Sequence, residues 1–159
     1  MTAVGSLELS LESLRPEAAV NLLVICPSRE DHVKLREVCS SLSWNLHEAG
    51  TYHEALEYLG RYQIEIVICE CVLPDGNWKD LLSIMAPLAE SPRLIVISAH
   101  ADDHLWAEVL NMGGYDVLTK PLKLQEVART VALAWRNWKN EREKSKTAAP
   151  VAPSFLMAP

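Results

Sequence analysis

Three polar side chains follow directly on short strand-like runs and have the chemistry of a single site. They are a carboxylate, Glu70, a hydroxyl, Ser98, and an ammonium, Lys120. In open α/β sheets the chemistry lies just beyond the carboxyl ends of the strands. A carboxylate at the end of an apolar strand also needs a partner, because an isolated buried charge is costly. The three positions therefore predict one polar site with Glu70 as its acid.

The elements that must position these side chains alternate regularly. Between residue 21 and about residue 140, five strand-like apolar runs are each followed by a helix-like stretch, a pattern that predicts parallel strands joined by crossover helices. Ser28 and Thr51 are predicted N-caps, and Gly60 and Gly113 are predicted to end helices. The predicted strands are 22–26, 44–49, 64–69, 94–97 and 115–119, and the predicted helices are 30–42, 51–60, 78–88, 101–112 and 123–143.

Composition narrows the class of protein. The 159 residues are 49% hydrophobic and 23% charged, and the net charge is -6, which argues against nucleic-acid binding. No apolar run is long enough to span a membrane and no signal sequence is present, so we expect a cytoplasmic protein. We expect one domain at 21–143, an N-terminal extension at 1–20 whose leucines fit either a strand or a helix, and a disordered Pro/Ala-rich tail at 144–159.

The four cysteines predict reduced thiols. Cys26, Cys39, Cys69 and Cys71 form no CxxC pair and no zinc-finger spacing with histidine. Cys69 and Cys71 flank the strand-end acid, so a cysteine-based redox or metal sensor is an alternative. Within that alternative, Cys26 and Cys71 are the candidate thiol pair, because both lie at strand ends.

At this level the chain resembles the receiver domain of two-component response regulators over about residues 21–140. The resemblance rests on the strand, acid and turn ending in 73–76, on the strand ending at Ser98, and on the segment 113–121. It implies a flavodoxin-like (βα)5 sandwich with sheet order 2-1-3-4-5. It also implies a signalling domain that is not an enzyme, in which an aspartate beside bound magnesium accepts a phosphoryl group from a histidine kinase.

The chain departs from the family pattern at the acidic positions. Glu70 occupies the position of the phosphoacceptor aspartate, and the acidic pair that holds the metal falls on Cys26 and Pro27. Since magnesium prefers oxygen ligands, we expect no metal and no cofactor. Glu30 and Asp31 follow closely, but we place them in the first turn of a helix, where they complement its dipole rather than rebuild the metal site.

Other family positions are retained. Ser98 matches the switch hydroxyl and Lys120 the family lysine, while the aromatic switch position is Val117. We expect Lys120 and Ser98 to hydrogen-bond the longer Glu70 side chain, which would then imitate a phosphorylated aspartate. The hypothesis is a phosphorylation-independent pseudo-receiver. The alternatives are a vestigial ion pair and a working acceptor with an altered acid.

No DNA-reading module follows residue 140, so we expect a stand-alone receiver that acts through protein contacts. The resemblance implies a histidine kinase or a downstream effector as partner, and a homodimer through the face formed by helix 4, strand 5 and helix 5. Trp106, Trp135 and Trp138 border that face and are the candidate anchors. The alternative for Trp135 and Trp138 is that they cover one end of the core.

Overall fold

The computed structural model describes residues 20–148, and the predicted N-terminal extension and most of the predicted tail lie outside this range. Five parallel strands form one sheet in the order β2-β1-β3-β4-β5, which confirms the predicted fold and topology. The strands are β1 Asn21–Ile25, β2 Asn45–Ala49, β3 Ile66–Glu70, β4 Arg93–Ser98 and β5 Asp116–Thr119.

Five helices connect or follow the strands. Ser28 and Thr51 cap the first two as predicted, their hydroxyls accepting the amides of Asp31 at 3.4 Å and Glu54 at 3.1 Å. The helices are α1 Arg29–Leu42, α2 Tyr52–Arg61, α3 Trp78–Met85, α4 Asp103–Asn111 and α5 Leu124–Ala148.

Two predicted helix ends are wrong. The third helix ends at Met85 rather than Leu88, because Pro87 has no backbone N–H with which to continue the helical hydrogen bonds. The fifth helix runs to Ala148, so residues 144–148 are helical rather than part of the tail. The residues between 143 and 148 contain neither glycine nor proline, and nothing in them stops a helix.

The sheet has a hydrophobic core on each face. Along β1, Leu22 and Val24 pack on the face covered by α1 and α5, while Leu23 and Ile25 pack on the opposite face. This division follows from the alternation of side chains along a strand. The opposite face is covered by α2, α3 and α4 and completes the three layers. None of the helices within residues 20–148 is both long enough and apolar enough to cross a membrane.

A short hairpin joins β3 to α3 at the carboxyl edge of the sheet. Its two arms, Val72–Leu73 and Gly76–Asn77, pair antiparallel. The Asp75 carboxylate at its tip accepts the amides of Tyr52 at 2.7 Å and His53 at 3.0 Å. These are the first two amides of α2, which have no partner within the helix. Asp75 thereby fixes the loop after Glu70 to a neighbouring helix.

Candidate functional site

Lys120 lies between two carboxylates at the carboxyl edge of the sheet. Its Nζ is 2.6 Å from Oδ2 of Asp31 and donates a hydrogen bond to Oε1 of Glu70. The exposed fractions of the three side chains are 17%, 7% and 18% for Lys120, Asp31 and Glu70. Burial alone would lower the pKa of Lys120, but its hydrogen bonds to Asp31 and Glu70 outweigh burial and raise that pKa. Lys120 is therefore held as a cation.

Both carboxylate oxygens of Glu70 have partners. Oε1 accepts from Lys120, and Oε2 accepts the backbone amide of Cys71 at 3.2 Å. Glu70 is the last residue of β3, so the strand fixes its backbone while its side chain turns toward β5. The predicted proximity of Glu70 and Lys120 is observed.

Asp31 belongs to the site, although only its place in the first turn of the helix was predicted. It is the third residue of α1, where side chains point back toward the helix N-terminus and hence toward the sheet edge. Its carboxylate is buried, and the Cys26 thiol donates to its Oδ2 over 3.4 Å. The predicted position in the first turn of the helix is correct for both acids. Glu30 pairs with Lys34 at 3.8 Å, whereas Asp31 reaches Lys120, a contact that was not expected. The signal was present in the sequence, because a residue three after the N-cap Ser28 faces this edge.

Cys26 is an uncharged thiol in this site. It is fully buried, and burial is the main reason that its pKa is raised to about 11. Cys26 is therefore protonated at neutral pH, as its donation to Asp31 requires. Its Sγ also accepts the amide of Ser28 at 3.4 Å. Pro27, the second family position, is exposed and contributes no ligand.

A metal ion fits these residues poorly. Ligand atoms of Cys26, Asp31 and Glu70 lie within 4.8 Å of one another. Magnesium prefers about six oxygen ligands, whereas one of these three is a protonated thiol. Both carboxylates already pair with the ammonium of Lys120. A cation entering the site would have to displace that ammonium.

Ser98 and Val117 occupy the two switch positions of the family. The Ser98 hydroxyl accepts the amide of His100 at 3.1 Å, and within residues 20–148 it makes no hydrogen bond to Glu70. The expected bond from Ser98 to Glu70 is therefore wrong in this structure. The half-buried Val117 packs against the core face covered by α2, α3 and α4.

The cysteines do not form the alternative thiol pair. All four are free. Cys26 packs in the core beneath α1 and α5, whereas Cys69 and Cys71 pack on the other face of the sheet. The hydrogen-bond partners of the Cys26 thiol are Asp31 and Ser28, not another thiol.

The three predicted tryptophan anchors differ in exposure. Trp106 on α4 is 50% exposed and can contact a partner. Trp135 and Trp138 on α5 are only 7% and 5% exposed, because they continue the apolar stripe of that helix into the core. The prediction that Trp135 and Trp138 are anchors on an interaction face is therefore wrong.

The comparisons with known proteins agree on one family. A family model described as the response regulator receiver domain matches residues 30–132. Response regulator protein PilR of Pseudomonas aeruginosa is 26% identical over 120 residues, covering 73% of this chain and 27% of PilR. The DNA-binding transcriptional regulator NtrC of Azospirillum brasilense is 24% identical over 117 residues, covering 74% of this chain and 24% of NtrC. This chain thus spans about a quarter of the length of these relatives.

Solved structures show the same fold. A signal receiver domain of an HD domain-containing protein from Pseudomonas fluorescens Pf-5 superposes with a TM-score of 0.71 at 26% identity, covering 79% of this chain and 93% of that one. A CheY-like response regulator receiver domain protein from Methanospirillum hungatei JF-1 gives a TM-score of 0.70 at 15% identity, covering 78% and 99%.

Proposed function

Because this chain belongs to the response regulator receiver domain family, we propose that it serves two-component signalling as a pseudo-receiver that works without phosphorylation. In this proposal Glu70 stands in the place of the phosphoacceptor, and the protein is not an enzyme. The observation that carries the proposal is the ion triad in which Lys120 bridges the buried carboxylates of Asp31 and Glu70.

The triad opposes phosphoryl transfer for a physical reason. Transfer depends on cations that are free to neutralise the charge developing on the phosphoryl group. Here the ammonium of Lys120 is already shared by two carboxylates, and Cys26 offers a protonated thiol instead of a metal ligand. We therefore propose that magnesium does not bind tightly and that no acyl phosphate forms on Glu70.

A working acceptor with an altered acid is the second candidate, and one observation favours it. Asp31 supplies a second carboxylate beside Glu70, which the family positions Cys26 and Pro27 cannot do. Against it, this carboxylate is bonded to Lys120 and to the Cys26 thiol. The two candidates make opposite predictions about phosphate uptake.

Signalling in this proposal passes through protein contacts. Receiver domains bind kinases and effectors and can dimerise. For this chain we propose a kinase or effector as partner, with the half-exposed Trp106 as an anchor, and a homodimer through α4, β5 and α5. A cytoplasmic location fits the four free thiols, which persist in reducing compartments.

The direct test uses acetyl phosphate with Mg²⁺ and intact-mass measurement. We expect the wild-type chain to gain no phosphoryl group. The variant Cys26→Asp, Pro27→Asp, Glu70→Asp rebuilds the family acids and is expected to gain one. Uptake by the wild type that is lost in Glu70→Gln would overturn the proposal and establish the altered-acid acceptor.

A second test asks whether Glu70 sets the output state. The indole resonance of Trp106 in a ¹H–¹⁵N spectrum reports on α4. We expect Glu70→Gln to shift it, because the substitution weakens the bond to Lys120 at the end of β5. Glu48→Gln is the matched control, since Glu48 pairs with Arg36 at 2.7 Å away from α4. An unchanged Trp106 resonance in Glu70→Gln would leave the ion triad without an output role.

A further inference from the structure

The opposite edge of the sheet carries a pocket that the signalling site does not use. It has a volume of about 370 Å³ and lies between the loop before β4 and the last described turns of α5. Arg93, the first residue of β4, lies on one side, and Arg142 and Lys146 lie on the other. Trp138 and Leu88 provide apolar lining, and Leu88 is 43% exposed although it is large and apolar. Glu90 and Glu141 also line the pocket, so its walls carry three cations and two carboxylates beside the apolar floor.

The positive charge of this pocket is only partly neutralised by the protein. Arg142 pairs with Glu90 at 2.8 Å. Arg93 instead bonds to neutral oxygens, the side chain of Asn137 at 2.7 Å and the carbonyl of Ser91 at 3.5 Å. Within residues 20–148, no carboxylate lies within 4.0 Å of the Arg93 guanidinium or the Lys146 ammonium. Glu141 in turn pairs with Lys144 at 3.6 Å. Arg93 and Lys146 are therefore the two cations of the pocket that an acidic and apolar occupant could contact.

A segment with that chemistry immediately precedes the described fold. Residues 7–17, which we call the leucine-glutamate segment, carry four leucines and three glutamates with a single arginine. Residues 149–159 contain no acidic side chain. The leucine-glutamate segment therefore matches the pocket better than the other end of the chain. Its leucines are Leu7, Leu9, Leu11 and Leu14, and its glutamates are Glu8, Glu12 and Glu17.

The leucine-glutamate segment also joins the fold at the edge of the sheet that carries the pocket. Val20 leads into β1, and the amide of Asn21 donates to the Glu65 carboxylate at 3.0 Å, while the amide of Arg93 donates to the Glu65 carbonyl at 2.8 Å. These bonds place the starts of β1 and β4 on either side of the start of β3. Two strand spacings are about 10 Å, and five extended residues span about 17 Å. The leucine-glutamate segment can therefore reach the pocket.

We infer that the leucine-glutamate segment docks in this pocket of its own chain, with leucines on Trp138 and Leu88 and glutamates beside Arg93 and Lys146. This docking is separate from the function proposed for Glu70. Each exposed ion pair contributes modestly, whereas the buried leucines supply most of the affinity. Substitution of a leucine should therefore have the larger effect.

Hydrogen exchange of the full-length chain, followed by mass spectrometry, tests the inference. We expect the amides of residues 7–17 to exchange more slowly than their intrinsic rates. Lys146→Glu should speed their exchange about two- to fivefold, as expected for loss of one exposed ion pair, and Leu14→Asp should remove the protection. Arg136→Glu, an exposed charge reversal on α5 outside the pocket lining, is the matched control and should change nothing.

The possible results of this experiment distinguish the leucine-glutamate segment from other occupants of the pocket. Faster exchange in Lys146→Glu and loss of protection in Leu14→Asp, with Arg136→Glu unchanged, support the docking. Intrinsic exchange rates throughout residues 7–17 of the wild type would overturn it. Protection that rises with protein concentration would also overturn it, by indicating a second copy. Protection of residues 149–159 that is lost in Lys146→Glu would overturn the inference as well, by indicating that these residues occupy the pocket.

Discussion

The Nζ atom of Lys120 lies 2.6 Å from the Asp31 carboxylate, and the same ammonium donates to Glu70. One cation thus pairs with two carboxylates that come from different elements, the first turn of α1 and the end of β3. Removal of one partner from such a group leaves uncompensated charge, which costs more than the net contribution of the intact group.

We predict that Lys120→Met lowers the free energy of unfolding by about 3 kcal/mol, the lower end of the range for broken buried pairs. Urea unfolding at pH 7 measures the loss. Lys79→Met is the control, because the Lys79–Glu108 pair is more exposed and should contribute less than about 1 kcal/mol. Equal losses for the two variants would contradict a buried triad.

The fold could be predicted because its signals are local. Apolar runs, the capping residues Ser28 and Thr51, and strand-end polar groups each act within a few residues, and together they specified the order of elements. The meeting of Glu70 with Lys120 followed from topology alone, since parallel strands end at the same edge.

The finer arrangement of the site could not be predicted in the same way. Asp31 and Glu30 have the same charge and adjacent positions, yet one is buried and the other pairs with Lys34 at the surface. Only the direction of each side chain on α1 separates them. Ser98 bonds to the nearby amide of His100 rather than to Glu70, because a local backbone donor competes with a distant side chain.

Alanine in place of glycine is predicted to have opposite effects on stability at Gly114 and at Gly60. A Cβ at Gly114 would lie 2.4 Å from Cγ1 of Val109 and 3.0 Å from its carbonyl oxygen, so Gly114→Ala should destabilise the fold by about 1–3 kcal/mol. A Cβ at Gly60, in α2, meets nothing within 4 Å. Gly60→Ala should therefore stabilise by about 0.5–1 kcal/mol. Thermal unfolding of both variants checks the signs, and a stable Gly114→Ala protein would contradict the close approach of α4 to β5.

Asp75 at the hairpin tip predicts that the stability of the fold depends on pH in the acidic range. Burial alone would raise the pKa of Asp75, but the hydrogen bonds from the amides of His53 and Tyr52 outweigh it and lower that pKa. A lowered pKa contributes stability that is present above the unfolded value of about 3.9 and is lost as the pH falls through the folded value. Asp75→Ala should therefore lower the unfolding midpoint at pH 7 but have little effect near pH 2.

Asp75→Asn is the matched variant for this measurement. Its amide oxygen can still accept one of the two backbone amides, so it should retain part of the stability lost in Asp75→Ala. If the wild type, Asp75→Asn and Asp75→Ala have equal midpoints at pH 7, the carboxylate does not stabilise α2.

The thiols predict how the protein reacts with Ellman's reagent. Cys26, Cys39 and Cys69 are buried, and only Cys71 is partly exposed. At pH 8 we expect one of the four thiols to react in the folded protein, none in Cys71→Ser, and all four of the wild type in denaturant. Burial raises the pKa of Cys26 to about 11 and that of Cys39 to about 12, so neither reacts as a thiolate in the folded state.

The same raised pKa values predict that stability falls between pH 8 and pH 10. Over this range thiols of the unfolded chain lose protons near a pKa of about 8.5, while buried Cys26 and Cys39 keep theirs. The unfolded state then binds fewer protons, so the free energy of unfolding decreases as pH rises. Cys39→Ala should reduce this slope in urea unfolding, whereas Cys71→Ser, at a half-buried thiol, should reduce it less. Two thiols reacting rapidly in the folded protein, or a Cys26–Cys71 disulfide formed with mild oxidant, would favour the redox sensor instead.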